Sequence, residues 1–86
     1  MSEMKVLYFA WLRTMTGVGE ETINPPAEID DLGGLIEWLK TRSPGHAKAL
    51  ADLTAVSFAV NHEFAEPGDG VKSGDEIALF PPVTGG

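Results

Sequence analysis

Hydrophobic positions first gather in an unbroken run from Val6 to Leu12, within KVLYFAWL (Lys5 to Leu12), rich in aromatic and branched residues. Such a run predicts a strand buried on both faces, in the middle of a sheet. MTGVGEE then supplies turn glycines before ETI (Glu21 to Ile23), a short second strand expected to pair with the first as a hairpin. NPPAEIDD breaks the pattern, and Asp30 is placed to cap a helix running from about Asp31 to Arg42. Leu32, Leu35, Ile36 and Leu39 recur at i, i+3, i+4 and i+7, one apolar stripe to lay on the sheet. Gly33 and Gly34 weaken this helix by about 1 kcal/mol each relative to alanine, so packing must hold it. Ser43-Pro44-Gly45 stops it, and HAKALADL reads as a further short helix.

AVSFAVN (Ala55 to Asn61) alternates Val56, Phe58 and Val60 against Ser57 and Ala59, the period of a strand with one face in the core. AEPGDGVKSGDE is turn-forming throughout, with Gly68, Gly70 and Gly74 expected to take unusual backbone geometry. EIALF (Glu76 to Phe80) closes the pattern as a strand whose Ile77 and Leu79 share the core face. The order is β-β-α-β, with one or two short strands and the last strand following. That order predicts an α+β fold of the ubiquitin-like β-grasp type, a mixed sheet of four to five strands with one main helix packed on it. Residues 1–80 form the body, and residues 81–86 are expected to be a flexible, extended C-terminal Gly-Gly tail.

Composition narrows the function. Eighty-six residues make one small domain, and chains of this size bury only about 60% of their unfolded surface, which leaves little room for an enclosed catalytic pocket. No apolar run is long enough to cross a membrane and no signal peptide is evident, so a cytoplasmic location is expected. The absence of cysteine excludes disulfides, thiolate catalysis and zinc–cysteine or iron–sulfur ligation. A net charge of −7 argues against nucleic acid, whose phosphates are neutralised by lysine and arginine. It keeps a small protein soluble and favours a basic protein as partner.

Few residues invite catalytic roles. His46 and His62 are far apart, with no cysteine to complete a metal site, and each is expected at the surface. The pairs Glu20-Glu21 and Asp30-Asp31 are adjacent carboxylates of the kind usually solvated on turns and caps. GDGVKSGD fails as a phosphate loop because Val71 separates Gly70 from Lys72, and its glycine spacing fails the dinucleotide pattern. Exposed apolar residues say more: Phe80 falls opposite the core pair Ile77 and Leu79, Phe9 lies on the same side of the first strand as Lys5, a side shared by Leu7 and Trp11, and Phe64 follows NHE among small and acidic residues. Three phenylalanines on an open sheet face would form a patch for a partner. Pro81 and Pro82 cannot donate to a sheet ladder, so they end the strand and direct Val83 to Gly86 away from the body. A glycine pair can enter a channel too narrow for any other dipeptide, and what it delivers is a carboxylate.

GDEIALFPPVTGG (Gly74 to Gly86) closely resembles the C-terminal signature of the MoaD-like sulfur carriers, the small subunits of molybdopterin synthase. KVLYFAWLRTMTG resembles that family's opening strand and arginine-bearing turn, and VNHEF the stretch before its fourth strand. The resemblance implies a carrier with no bound cofactor. Gly86 would be adenylated by an ATP-dependent activating enzyme and converted to a thiocarboxylate with sulfur from a donor protein. The tail would then enter the large synthase subunit, in a heterotetramer of paired small and large subunits, and pass its sulfur to cyclic pyranopterin monophosphate to build the molybdopterin dithiolene. On this resemblance Gly85 gives access, Phe9, Arg13, Phe64 and Phe80 dock the body, and Pro81, Pro82, Val83 and Thr84 contact the partner along the tail. The sequence departs from the commonest pattern at Leu79, where an aromatic residue is frequent, and at Trp11, where a polar one is usual. The alternatives are a ubiquitin-like modifier conjugated through Gly86, and a thiamine-pathway sulfur carrier.

Overall fold

A computed structural model describes residues 3–82. Strand β1 (Met4–Tyr8) is followed by helix α1 (Trp11–Thr16) and strand β2 (Glu20–Ile23). Helices α2 (Leu32–Leu39) and α3 (Pro44–Ala49) come next, then a single 3-10 turn at Leu53–Ala55. Strands β3 (Ser57–Val60), β4 (Glu63–Ala65) and β5 (Glu76–Phe80) complete a sheet of order β2-β1-β5-β3-β4. The central pair β1 and β5 is parallel and every other pairing is antiparallel. This is the expected β-grasp, with its mixed sheet and its main helix.

The core forms where the strand and helix periods meet. Met4, Val6 and Tyr8 alternate onto one face of β1, Ile77 and Leu79 onto the same face of β5, and Phe58 joins them from β3. Leu32, Leu35, Ile36 and Leu39 of α2 are fully buried against them, as the apolar stripe requires. Each such leucine contributes about 1.5–3 kcal/mol on leaving water, which offsets the cost of Gly33 and Gly34 inside the helix. Val60 is only partly buried against this cluster.

Several boundaries differ from expectation. The run from Lys5 to Leu12 is not one strand: β1 stops at Tyr8 and α1 begins at Trp11, so β1 and β2 pair across an intervening helix rather than a tight hairpin. A short apolar run carries no period that separates a buried strand from a buried helix turn. The switch occurs at Ala10, a non-glycine residue held at φ 54° and ψ −131°, a conformation costing of order 1–3 kcal/mol. Gly17 ends α1 in the left-handed conformation at φ 83°.

The cap of α2 is Asp31 rather than Asp30: the Asp31 carboxylate accepts from the Gly34 amide at 2.7 Å. The α-helix ends at Leu39 rather than Arg42, because Thr41 and Arg42 donate to Trp38 and Leu39 in tightened i→i−3 bonds. Ser43 and Pro44 do not merely stop α2 but start α3, with Ser43 as the cap and Pro44 in its first turn. Gly45 is needed there, since a Cβ at this position would overlap the Met15 carbonyl oxygen of α1.

The strand expected over Ala55 to Asn61 is trimmed to Ser57–Val60 by the preceding 3-10 turn. Asn61 and His62, at φ 52° and 73°, form the two-residue link between β3 and β4, where positive φ matches the strand twist. Of Gly68, Gly70 and Gly74, only Gly74 has positive φ.

Candidate functional site: the open sheet face and the tail exit

The helices bury their apolar residues in the one core cluster on a single side of the sheet. The other side carries the residues that alternate outward. Register places Leu7 opposite Ala78, Ala78 opposite Ala59, and Ala59 opposite Phe64, a row crossing β1, β5, β3 and β4. Leu7, Ala59 and Ala78 are half-buried and Phe64 is 78% exposed. In the next row Phe80 stands opposite Ser57, and its ring lies 5.9 Å from that of Phe64 at 57°, within the range of favourable aromatic pairs. Two alanines in the middle of the row leave a shallow saddle with the aromatic pair at one end. Lys5, beside Glu76 and in contact with Glu20 at 3.5 Å, supplies a polar border.

Phe9 is 47% exposed just beyond β1, and its amide donates to the Leu79 carbonyl at 3.1 Å. It therefore sits beside the end of β5. Arg13 lies on α1, not on a turn, and it is exposed. Its guanidinium packs over Gly19, where a Cβ would come within 3.2 Å of Nε. Leu7, Phe9, Arg13, Gly19 and Glu20 line one shallow groove of about 530 Å³, which joins the sheet face to α1. Strand β5 ends at Phe80, with Pro81 half-buried and Pro82 exposed. The remaining expected site residues, Val83, Thr84, Gly85 and Gly86, lie outside the described residues.

Leu7, Ala59 and Ala78 were not singled out from the sequence. Alternation alone gives the side on which each stands, but joining them into one row takes the register of four strands.

A polar cluster occupies the helix side of the sheet. Glu21 Oε2 accepts from the Tyr8 hydroxyl at 2.7 Å and lies 2.8 Å from His46 Nε2, while Oε1 accepts from Arg42 at 3.1 and 2.8 Å. His46 Nδ1 lies 2.7 Å from the Ser43 hydroxyl, and the Tyr8 and His46 rings meet edge-on at 5.5 Å. His46 is 5% exposed, so the expectation of a surface histidine fails for it, though His62 is exposed as expected. Glu21 likewise is no solvated turn acid. Burial pushes its carboxyl up, but the hydrogen bonds from Tyr8, His46 and Arg42 and the Arg42 charge outweigh this and hold it below the ordinary carboxylate range. Burial first, then the bond to the Glu21 carboxylate and its charge, pushes the Tyr8 hydroxyl well above the usual phenol range. With every acceptor occupied and Ser43 committed to capping α3 through the His46 amide, this cluster ties β1 and β2 to the α2–α3 corner and has no free nucleophile.

A β-grasp body with one helix-covered face and one open apolar face, whose last strand is followed in the sequence by Pro81-Pro82 and Gly85-Gly86, has the build of a ubiquitin-like protein. The chain belongs to the ThiS family, whose profile matches residues 6–86. It is 43% identical over 90 residues to the molybdopterin synthase sulfur carrier subunit of Homo sapiens, covering 100% of this chain and 97% of that one. Its fold is similar to that of molybdopterin converting factor subunit 1 from Pyrococcus furiosus, with a TM-score of 0.80 and 35% identity over 96% of this chain and 100% of that one. It is also similar to a chain in the complex of subunits 1 and 2 of molybdopterin-converting factor from Helicobacter pylori, with a TM-score of 0.65 and 25% identity over 98% and 99% of the two chains. No helix among the described residues is long and apolar enough to cross a membrane.

Proposed function

We propose that the chain is the sulfur-carrier small subunit of molybdopterin synthase, acting in the cytoplasm. The observation that carries this reading is the apolar row Leu7–Ala78–Ala59–Phe64, with Phe80 beside it, on the strand that leads into the glycine tail of a chain so similar to named carrier subunits. Strand β5, which carries Ala78 and Phe80, thereby joins the docking face to the end that delivers sulfur.

The chemistry runs through the terminal carboxylate of Gly86. Ionised at neutral pH, it is a poor acyl acceptor until one oxygen attacks the α-phosphate of ATP on an adenylating enzyme, releasing pyrophosphate. Sulfide released by a donor protein then attacks the acyl carbon, the C–S bond forming as AMP leaves, and loss of the remaining S–H proton gives the thiocarboxylate. No cysteine is required of the carrier itself, in keeping with its composition. Seated on the large subunit, the thiocarboxylate sulfur attacks a carbon of cyclic pyranopterin monophosphate that bears an oxygen substituent, the C–S bond forming as that C–O bond breaks and the oxygen leaves. Water then cleaves the acyl–sulfur bond, leaving sulfur on the substrate and regenerating the Gly86 carboxylate. Repetition on a second carrier supplies the other dithiolene sulfur, which suits a heterotetramer of paired small and large subunits. Phe9, Arg13, Phe64 and Phe80 hold the body, Pro81 to Thr84 align the tail, and Gly85 lets it pass.

Co-expression with the adenylating enzyme and sulfur donor tests this directly. The intact mass is expected to rise by about 16 Da, oxygen replaced by sulfur. An unchanged mass, or the chain recovered joined to lysines of other proteins, would count against it.

A further inference from the structure

Four large apolar residues are exposed among the described residues, and three of them fall within seven positions: Phe9 at 47%, Trp11 at 37% and Met15 at 41%. Trp11 and Met15 are four apart on α1 and share one stripe. Neither belongs to the sheet face. Both are held rigidly, because Leu12 between them is fully buried, the Met15 carbonyl abuts Gly45 of α3, and Ala10 fixes the bend out of β1.

Position gives this elbow its meaning. Strands β1 and β5 are parallel, with Tyr8 opposite Leu79, and the Phe9 amide bonds the Leu79 carbonyl. The chain therefore leaves β5 at Pro81 directly beside Phe9 and Ala10. A protein that receives the residues beyond Pro82 while covering Phe80 therefore lies next to Phe9 and Ala10, where α1 begins. Tryptophan, methionine and phenylalanine are the residue types enriched at the buried centres of interfaces, and tryptophan is prominent among those that dominate binding.

Resting on the reading above, we propose that Trp11 and Met15 form a second docking element for the large subunit, an apolar helical edge that seats in that partner beside the mouth receiving the tail. The sheet face and the elbow then grip the partner on two sides of the tail exit.

The test uses the full chain and the large subunit from the same genome, with affinity measured by calorimetry for the unaltered chain, for Trp11→Ala with Met15→Ala, and for Phe80→Ala. The elbow variant is expected to keep its circular dichroism and melting temperature and to bind at least about tenfold more weakly. Unchanged affinity, with Phe80→Ala weakened, would overturn the elbow and leave the carrier reading intact. No binding by the unaltered chain would overturn both. Loss of affinity for the adenylating enzyme alone would also count against the proposal. As a measurement free of any elbow mutation, Trp38→Phe leaves Trp11 as the single tryptophan, whose quenching by acrylamide is expected to fall when the large subunit is added. Quenching that does not change would refute the contact.

Discussion

The two faces of the sheet handle polar and apolar groups in opposite ways. On the helix side, Glu21 enters a largely apolar layer and every oxygen lone pair it offers is claimed by Tyr8, His46 or Arg42. On the open side, Phe64 is 78% exposed and meets the ring of half-buried Phe80. Satisfied polar groups inside hold the fold together, whereas unsatisfied apolar groups outside leave free energy to be gained on association. With the open face read as the proposed docking surface, stability and recognition belong to different faces, and substitutions on each should move one property without the other.

The largest effect on stability is expected from Glu21→Ala. Removing the acceptor strands the Tyr8 hydroxyl and His46 in a buried setting and should cost about 2–3 kcal/mol, short of a fully buried ion pair because Arg42 still reaches water. Urea unfolding measures it, and a loss under about 1 kcal/mol would mean the cluster is ornamental. Gly45→Ala comes next, at about 1–3 kcal/mol, because α3 must move off the Met15 carbonyl. On the opposite face, Phe64→Ser should change stability by no more than about 0.5 kcal/mol while weakening binding to the large subunit. Loss of both together would erase the division between faces.

The acid dependence sharpens the contrast further. The carboxyl of Glu21 is held below its ordinary value of 4.5 in the folded state, so its contribution is present above that pH and is lost as pH falls through the lower, folded value. Between neutral pH and pH 3 the unaltered chain should therefore lose more stability than Glu21→Gln, and parallel curves would refute the assignment. The smallest effect expected is a gain: His62→Gly relieves positive φ at an exposed turn and should stabilise by a few tenths of a kcal/mol, up to about 0.5, as thermal unfolding would show.

Legibility in the sequence followed the length over which a pattern repeats. The stripe of α2 and the alternation of β5 each repeat enough to fix both element and face, and Phe80 was placed outside on that basis. VLYFAWL (Val6 to Leu12) is apolar throughout, so nothing in it marks the bend at Ala10 or the start of α1. His46 and Glu21 are 25 positions apart, and only the packing of α3 over β2 brings them together. That is also why two ordinary-looking surface residues turned out to be interior. The phenylalanine patch was anticipated as three separate side chains, whereas the alanines that make it a continuous saddle have no individual signature.

Strand β4 has a consequence of its own. It forms one edge of the sheet yet runs only from Glu63 to Ala65, beginning with a charged residue straight after a two-residue turn. A protein that displays an apolar sheet face beside an open edge invites copies of itself to join edge to edge into larger aggregates. Three residues offer too short a ladder for that, and with a net charge of −7 on each copy mutual repulsion opposes it as well. The short edge and the charge together disfavour the pairing of one copy with the next along β4.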